Sequence, residues 1–389
     1  MPEELEADRR RAVQRLQAGE SVSAICSSMG YSRQWLYKWK ERFEAGDPHW
    51  YQAKSRKPKS SPSKTRKETE ELVISIRRSL EKQNLFHGAQ AIRWEMEDLN
   101  IEPLPSVRTI GRILARHDLI QRRQGRYKPK GKKYPGPVPK KPGAVHQSDF
   151  VGPRYLQGPI RFYSLNSVDL ASGRCAVQPV FQRAGQSTID AVWKTWQRLG
   201  MPEHQQVDNE AIFYGSRAHP RGMGKLIRLC LNYDIEAWFI PPREPWRNGV
   251  VEKFNNHWED KFLRHVEMFS AADLLHESLR FEARHNSRYR YSKLGGKTPK
   301  DALKTSGTQL RFPPTQEAPR HPLAKPERGR YHLIRFVRSE GLVDVFGEIF
   351  LAPPEAMYEY VRLTIDVADQ RLLVFLDGSL IDEHDYYFR

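Results

Sequence analysis

Three acidic residues of this 389-residue chain fall in short segments that read as a strand end, a strand end and a helix start. Asp149 lies in VHQSDFVGP, Asp208 in HQQVDNEAIF and Glu252 in PWRNGVVEKFNN. Carboxylates that converge without a cysteine or histidine pattern among them suit hard cations, Mg²⁺ or Mn²⁺, rather than zinc. One carboxylate cannot hold a pair of such ions, whereas three can. A pair of ions can activate a water or hydroxyl and stabilise the leaving oxygen of an in-line displacement at phosphorus. No covalent protein nucleophile is then needed. Other polar residues near the three have blander readings. Asp169 in NSVDLASG reads as a turn cap. Glu210 and Glu244 read as loop charges, and His146 and His257 as packing or surface residues. Asn209 and Asn248 stand open between site and scaffold.

The elements that must carry these residues follow from local pattern. VHQSDFV, RFYSLNSVDL and RCAVQPVF read as three successive strands, with turns at Gly158–Pro159 and Ser172–Gly173. Ser187–Leu199 reads as a helix, HQQVD as a short strand, Gly224–Tyr233 as a helix and IEAWFI as a strand. Gly249–His265 reads as one long helix with Val251, Phe254, Trp258 and Phe262 as its buried stripe. Glu252 is one residue off that stripe, at the helix–sheet boundary. A further helix covers about Ala271–His285. The Gly/Arg-rich run GSRAHPRGMG, residues 215–224, reads as an insertion loop between Asp208 and Glu252, which lie 44 positions apart. Together these describe a mixed α/β sheet.

The chain carries a formal net charge of +17, with 64 Lys/Arg against 47 Asp/Glu. Residues 51–148 hold 23 Lys/Arg against 9 Asp/Glu, while residues 1–50 balance at 8 against 8. That concentration points to a polyanionic partner. Three cysteines, none in a Cys-x-x-Cys pair, give neither a zinc site nor a disulfide framework. No apolar run approaches a membrane span and no signal peptide is evident, so a cytoplasmic protein is expected. Residues 8–45 read as three helices, with Ser21 and Ser32 as N-caps, Gly30 as a turn and Arg33, Gln34, Lys38 and Lys40 outside. That is helix-turn-helix geometry. A second helical unit covers Arg66–Lys82, Gly88–Leu99 and SVRTIGRILARHDLI, where Arg108, Arg112 and Arg116 share one face that can track phosphates. Residues 121–143 hold nine Lys/Arg and five Pro with no acid, a tether that includes Arg122 and Arg123. Trp246 and Arg247, in the loop before Glu252, could stack on or clamp a nucleic-acid end. The last 60 residues are short alternating runs between Gly, Pro and Asp turns, and predict a small all-β barrel.

SDFVGP (148–153), VDNEAIF (207–213) and PPREPWRNGVVEKFNN (241–256) resemble the integrase-core DDE transposases of bacterial insertion sequences, relatives of retroviral integrases. One position departs: the family pattern after the second Asp is Asn-Gly, and here Asn209-Glu210 follows Asp208. The resemblance implies a multidomain α+β chain with a ribonuclease-H-like core. The expected division is helix-turn-helix 1–51, basic linker 52–65, second helix-turn-helix 66–120, basic Pro-rich linker 121–143, catalytic core 144–305, linker 306–328 and β-barrel 329–389. It also implies that Asp149, Asp208 and Glu252 bind two Mg²⁺ or Mn²⁺ ions and serve cleavage and strand transfer of transposon ends into target DNA. A homo-oligomer, dimer or tetramer, on double-stranded DNA in the bacterial nucleoid is implied with it. The alternative is a catalytically silent, domesticated transposase acting as a sequence-specific regulator.

Overall fold

A computed structural model describes residues 2–54, 65–120, 134–157 and 159–388. The chain divides into two compact units, Met1–Arg66 and Lys67–Arg389. The first unit holds α1 (Pro2–Gln17), α2 (Val22–Met29) and α3 (Arg33–Glu44) around Ala12, Ile25 and Leu36. Helix α1 begins six residues before the expected Asp8, because Glu4 and Glu6 suit the positive end of a helix. The two serine caps form as read: Ser21 accepts from the Ala24 N–H and Ser32 from that of Trp35.

The second unit opens with α4 (Lys67–Lys82), α5 (Ala89–Asp98) and α6 (Val107–Arg116), packed around Val73, Ile76, Ile92, Met96, Ile110 and Ile113. These helices rest on the segment that follows them in the same unit. Asn84 donates to the Lys261 carbonyl at 2.7 Å, Tyr289 donates to the Asn84 carbonyl at 2.7 Å, and Phe86 lies 4.8 Å from the Tyr289 ring.

Then come β1 (Val145–Tyr155), β2 (Arg161–Asp169), β3 (Cys175–Val180), α7 (Gly185–Leu199), β4 (His204–Val207), α8 (Ala211–Tyr214), α9 (Lys225–Leu231) and β5 (Glu236–Phe239). After them follow α10 (Gly249–Trp258), α11 (Ala271–Arg288) and α12 (Pro299–Ser306). The C-terminal segment holds β6 (Arg330–Phe336), β7 (Leu342–Val345), β8 (Glu348–Leu351), β9 (Tyr360–Asp366), β10 (Arg371–Leu376) and β11 (Ser379–Asp385). Strands β3, β2 and β1 are antiparallel neighbours, and β4 and β5 continue the sheet parallel to β1. That is the mixed α/β sheet the sequence pattern predicts. One face is covered by α7 and α9, through Ile189, Trp193, Trp196, Leu226 and Ile227. The other is covered by α10 and α11, through Val251, Phe254, Trp258, Leu274 and Phe281. No helix among the described residues is long and apolar enough to cross a membrane.

Two expectations change. The helix expected over Gly249–His265 ends at Trp258 and gives way to a single i→i+5 turn, Glu259–Leu263. The wider turn keeps Phe262, 1% exposed, on the buried side with Trp258. The closed barrel expected over 329–389 is instead an open extension of the core sheet. Strand β6 pairs parallel with β5, at Ala237↔Tyr331 and Phe239↔Leu333, and the full order runs β11-β10-β9-β6-β5-β4-β1-β2-β3. Strands β7 and β8 form a separate hairpin. Sequence alternation shows a strand's period but not its neighbour, and the free edge of β5 supplies one. The loop at 215–224 docks on that hairpin, with Arg217 to Asp344 at 2.7 Å and Arg221 to Glu348 at 2.5 Å. Gly224 is required there: a Cβ would stand 2.2 Å from the Tyr214 backbone.

Candidate active site

Strand parity brings the three acids to one side of the sheet. In β1 the odd positions Gln147, Asp149 and Val151 face α10, while Phe150 faces the α7 side with Leu165 and Val207. Strand β4 runs beside β1 with Gln147 opposite Gln206, so Asp208, two residues on, lies beyond the end of β4 on the side of Asp149. Helix α10 supplies Glu252 in its first turn.

Glutamines and asparagines fix that arrangement. The Gln147 carboxamide oxygen accepts from the Val250 and Val251 N–H groups, each at 3.2 Å, and so caps α10 from the sheet. Gln206 donates to the Arg247 carbonyl at 3.1 Å, and Asn248 donates to the Ser148 carbonyl at 3.3 Å. Asn255, one turn beyond Glu252, donates to Asp149 Oδ2 at 2.7 Å and accepts from Asn166 at 2.9 Å. The sequence reading missed Gln147, Gln206, Asn166 and Asn255. Their signal was available: a Gln two residues before each Asp lies on the same strand face, and Asn255 follows Glu252 by three on a helix. Gln147→Ala is expected to destabilise the protein by ~1–2 kcal/mol, through two uncapped backbone donors, one of them buried. A urea melt measures that loss, and an unchanged midpoint would show the cap to be dispensable.

Electrostatics tie the three acids together. The Asp149 carboxyl is pushed up to about 7, first by burial, then by the charges of Asp208 and Glu252. Burial pushes Asp208 up to about 6, against the lowering influence of Arg183. Glu252 is raised by burial and by Asp208. Asp149 and Glu252 therefore each respond to a carboxylate on another element, and Asp208 is the group both of them respond to. Among the described residues no group of three His, Cys, Asp or Glu stands close enough to form a ready metal cage. The donor set nevertheless fits a hard divalent cation: it is all oxygen, half-buried and self-repelling, so a positive charge placed among the three relieves all of them.

The other singled-out residues have definite places. Asp169 caps its turn, accepting from Ala171 N–H at 2.8 Å and from Gly143 N–H at 2.7 Å. His146 is buried and His257 half-buried, and withdrawal from water pushes them down to about 4 and about 3. Glu244 accepts from Tyr360 at 2.6 Å and from Arg247 at 3.0 Å. The Arg247 guanidinium also stacks on Tyr134, at 4.6 Å, and on Tyr360, at 5.0 Å, so it braces the loop before α10 in this conformation. Trp246 is exposed beside it. Asn209 donates to the Ile240 carbonyl and accepts from Arg335, at 3.2 Å in the latter case. Arg33, Gln34 and Lys38 are exposed on α3, with Arg33 donating to Ser23 at 2.9 Å, and Lys40 pairs with Glu44 at 3.5 Å. Arg108, Arg112 and Arg116 are exposed on α6, where Arg116 pairs with Glu70. Arg122 and Arg123 lie outside the described residues. A cleft of about 810 Å³ runs from Asp208 to the β6–β7 segment, and Arg217, Arg243, Arg335 and Arg338 are in its wall.

A family profile described as "Winged helix-turn helix" matches residues 9–71, and one described as "Integrase core domain" matches residues 233–299. The second match contains Glu252 but neither aspartate. No curated protein matches the chain. Solved structures with similarity include the HTLV-2 integrase catalytic core domain in complex with magnesium, at 20% identity and a TM-score of 0.33, covering 42% of this chain and 97% of that one. The catalytic core domain of BIV integrase matches at 18% identity and a TM-score of 0.32, covering 42% and 95%. A simian T-cell lymphotropic virus intasome in complex with PP2A regulatory subunit B56 gamma matches at 15% identity and a TM-score of 0.35, covering 78% and 94%. The chain thus joins an N-terminal helix-turn-helix region to an integrase core domain.

Proposed function

We propose that the protein is a DDE transposase that binds transposon terminal repeats and catalyses metal-dependent DNA cleavage and strand transfer. The observation that carries this reading is that Asp149, Asp208 and Glu252 reach one side of an integrase-type sheet from three elements, with the charges of Asp208 and Glu252 both acting on Asp149. Asp149, Asp208 and Glu252 would hold two Mg²⁺ or Mn²⁺ ions. Bound there, such ions supply the positive charge that activates a hydroxyl and stabilises the leaving oxygen. Asn255 holds one oxygen of Asp149 and so fixes which way its carboxylate presents. Gln147 and Gln206 fix the start of α10, and with it Glu252. Residues of α3 read the terminal repeats, Arg108 and Arg112 track phosphates, and Trp246 meets the DNA end. Terminal repeats come in pairs, so the working assembly on DNA holds at least two copies.

The test is a strand-transfer assay with labelled DNA ends carrying the inverted repeats that flank the gene. Asp208→Asn is expected to remove joined and cleaved products while leaving end binding intact, and the silent-regulator alternative predicts no product from the wild type either. Equal activity in Asp149→Asn, Asp208→Asn and Glu252→Gln would rule the enzyme reading out.

A further inference from the structure

We infer that Arg183 is a phosphate-contacting residue of the carboxylate site, a role that rests on the transposase reading above. Arg183 lies in the loop between β3 and α7, outside all three acidic motifs. Its guanidinium carbon stands 5.0 Å from the ring centre of Phe150, the residue after Asp149, and 5.4 Å from that of Tyr163. One terminal nitrogen pairs with the Glu210 carboxylate. The Glu210 N–H in turn donates to Asp208 Oδ1 at 3.0 Å. The guanidinium therefore packs on the α7 side of the sheet, against Phe150 and Tyr163, and reaches the carboxylates through the loop that follows the second aspartate.

Two further facts separate this arrangement from a plain surface ion pair. Aromatic faces hold the cation without consuming its N–H groups. The Arg183 Nε is buried and has no hydrogen-bond partner, a donor already stripped of water. A planar guanidinium oriented by two rings presents its terminal nitrogens in the forked geometry that suits a phosphodiester. The arrangement also accounts for Glu210, which stands where the family pattern has glycine. Glu210 steers Arg183 to the rim of the site and neutralises it until a phosphate competes for it.

The competing account makes Arg183 only the counterion of Glu210. A double-mutant comparison separates the two. Single-turnover cleavage of pre-bound DNA ends is measured at saturating Mg²⁺ for Arg183→Ala, Arg183→Lys, Glu210→Gln and the pair Arg183→Ala/Glu210→Gln. Arg183→Ala is expected to slow cleavage ~100-fold even with the DNA ends held at saturation, as for loss of one charge-stabilising donor. Arg183→Lys should fall between it and the wild type, and Glu210→Gln, which keeps a hydrogen-bond acceptor for the guanidinium, should slow cleavage far less than Arg183→Ala. The double variant should be as slow as Arg183→Ala alone. Recovery of near-wild-type cleavage in the double variant would overturn the inference, as would wild-type rates for Arg183→Ala. Should Arg183→Ala melt early, Arg183→Lys and Arg183→Gln carry the comparison, because they keep the bulk against Phe150. A wild type that cleaves no DNA with Mg²⁺ or Mn²⁺ sinks the transposase reading by itself. Arg183 is then judged from DNA binding in Ca²⁺ across a salt series. Loss of the residue should flatten the slope of log affinity against log salt by ~1, and an unchanged slope overturns the inference.

Discussion

Asp149→Asn is expected to abolish metal-dependent cleavage and, in metal-free buffer, to make the protein more stable. The two effects share one cause. Burial and the charges of Asp208 and Glu252 raise the Asp149 carboxyl to about 7. A carboxyl whose folded pKa exceeds its unfolded value binds its proton more tightly in the folded state. Its favourable contribution is complete below the unfolded pKa of ~4 and is lost as pH rises through about 7. An asparagine keeps the acceptor for Asn255, now 2.7 Å from the carboxylate, and carries no charge to lose. The stability gain over wild type should therefore vanish near pH 4, grow across the interval to pH 7 and level off above it. A shift of about three units corresponds to at most ~4 kcal/mol. Thermal melts in EDTA from pH 4 to 8 measure it. Added Mg²⁺ should stabilise the wild type at pH 8 and leave Asp149→Asn almost unmoved. A gain as large at pH 4 as at pH 8 would show that repulsion among the acids is not its source.

Arg335→Met should produce the second large effect, at a distance from the acids. Arg335 is 4% exposed on β6. It donates to the Asp344 carbonyl at 2.6 Å, to the Ile334 carbonyl at 2.9 Å and to Asn209 Oδ1 at 3.2 Å. Burial pushes this guanidinium down to about 10, opposed by the charge of Asp344. One side chain from the C-terminal segment thus braces the residue next to Asp208. Methionine fills the volume but leaves three acceptors without this donor, a loss of ~2–4 kcal/mol. A lower denaturant midpoint should accompany a ~10-fold or larger fall in cleavage, as the loop at Asp208 loses its brace. Arg335→Lys keeps the charge but not the fork and should fall between. Unchanged cleavage in a destabilised Arg335→Met would show that the bond to Asn209 is structural only.

Local chemistry made much of this legible in advance. Ser21 and Ser32 cap their helices because a serine before an amphipathic run satisfies free N–H groups without tertiary help. The strands carrying Asp149 and Asp208 and the helix carrying Glu252 follow from apolar period. The third motif, around Glu252, lies inside the matched integrase-core segment, 233–299. Gln147, Gln206 and Asn255 were visible as letters but not as a brace, since an amide's partner depends on which strands become neighbours.

What the sequence determined by itself is the set of elements and the acids they carry, because helix period, strand alternation and capping are read within a few residues. What only the tertiary structure decided is who meets whom. Strand β6 joins β5 and turns an expected barrel into more sheet, Arg335 reaches Asn209, and Arg183 and Glu210 meet beside Asp208 although 27 positions separate them. Pairing across such separations is set by which exposed edges and buried charges find a partner, and no local pattern encodes that choice.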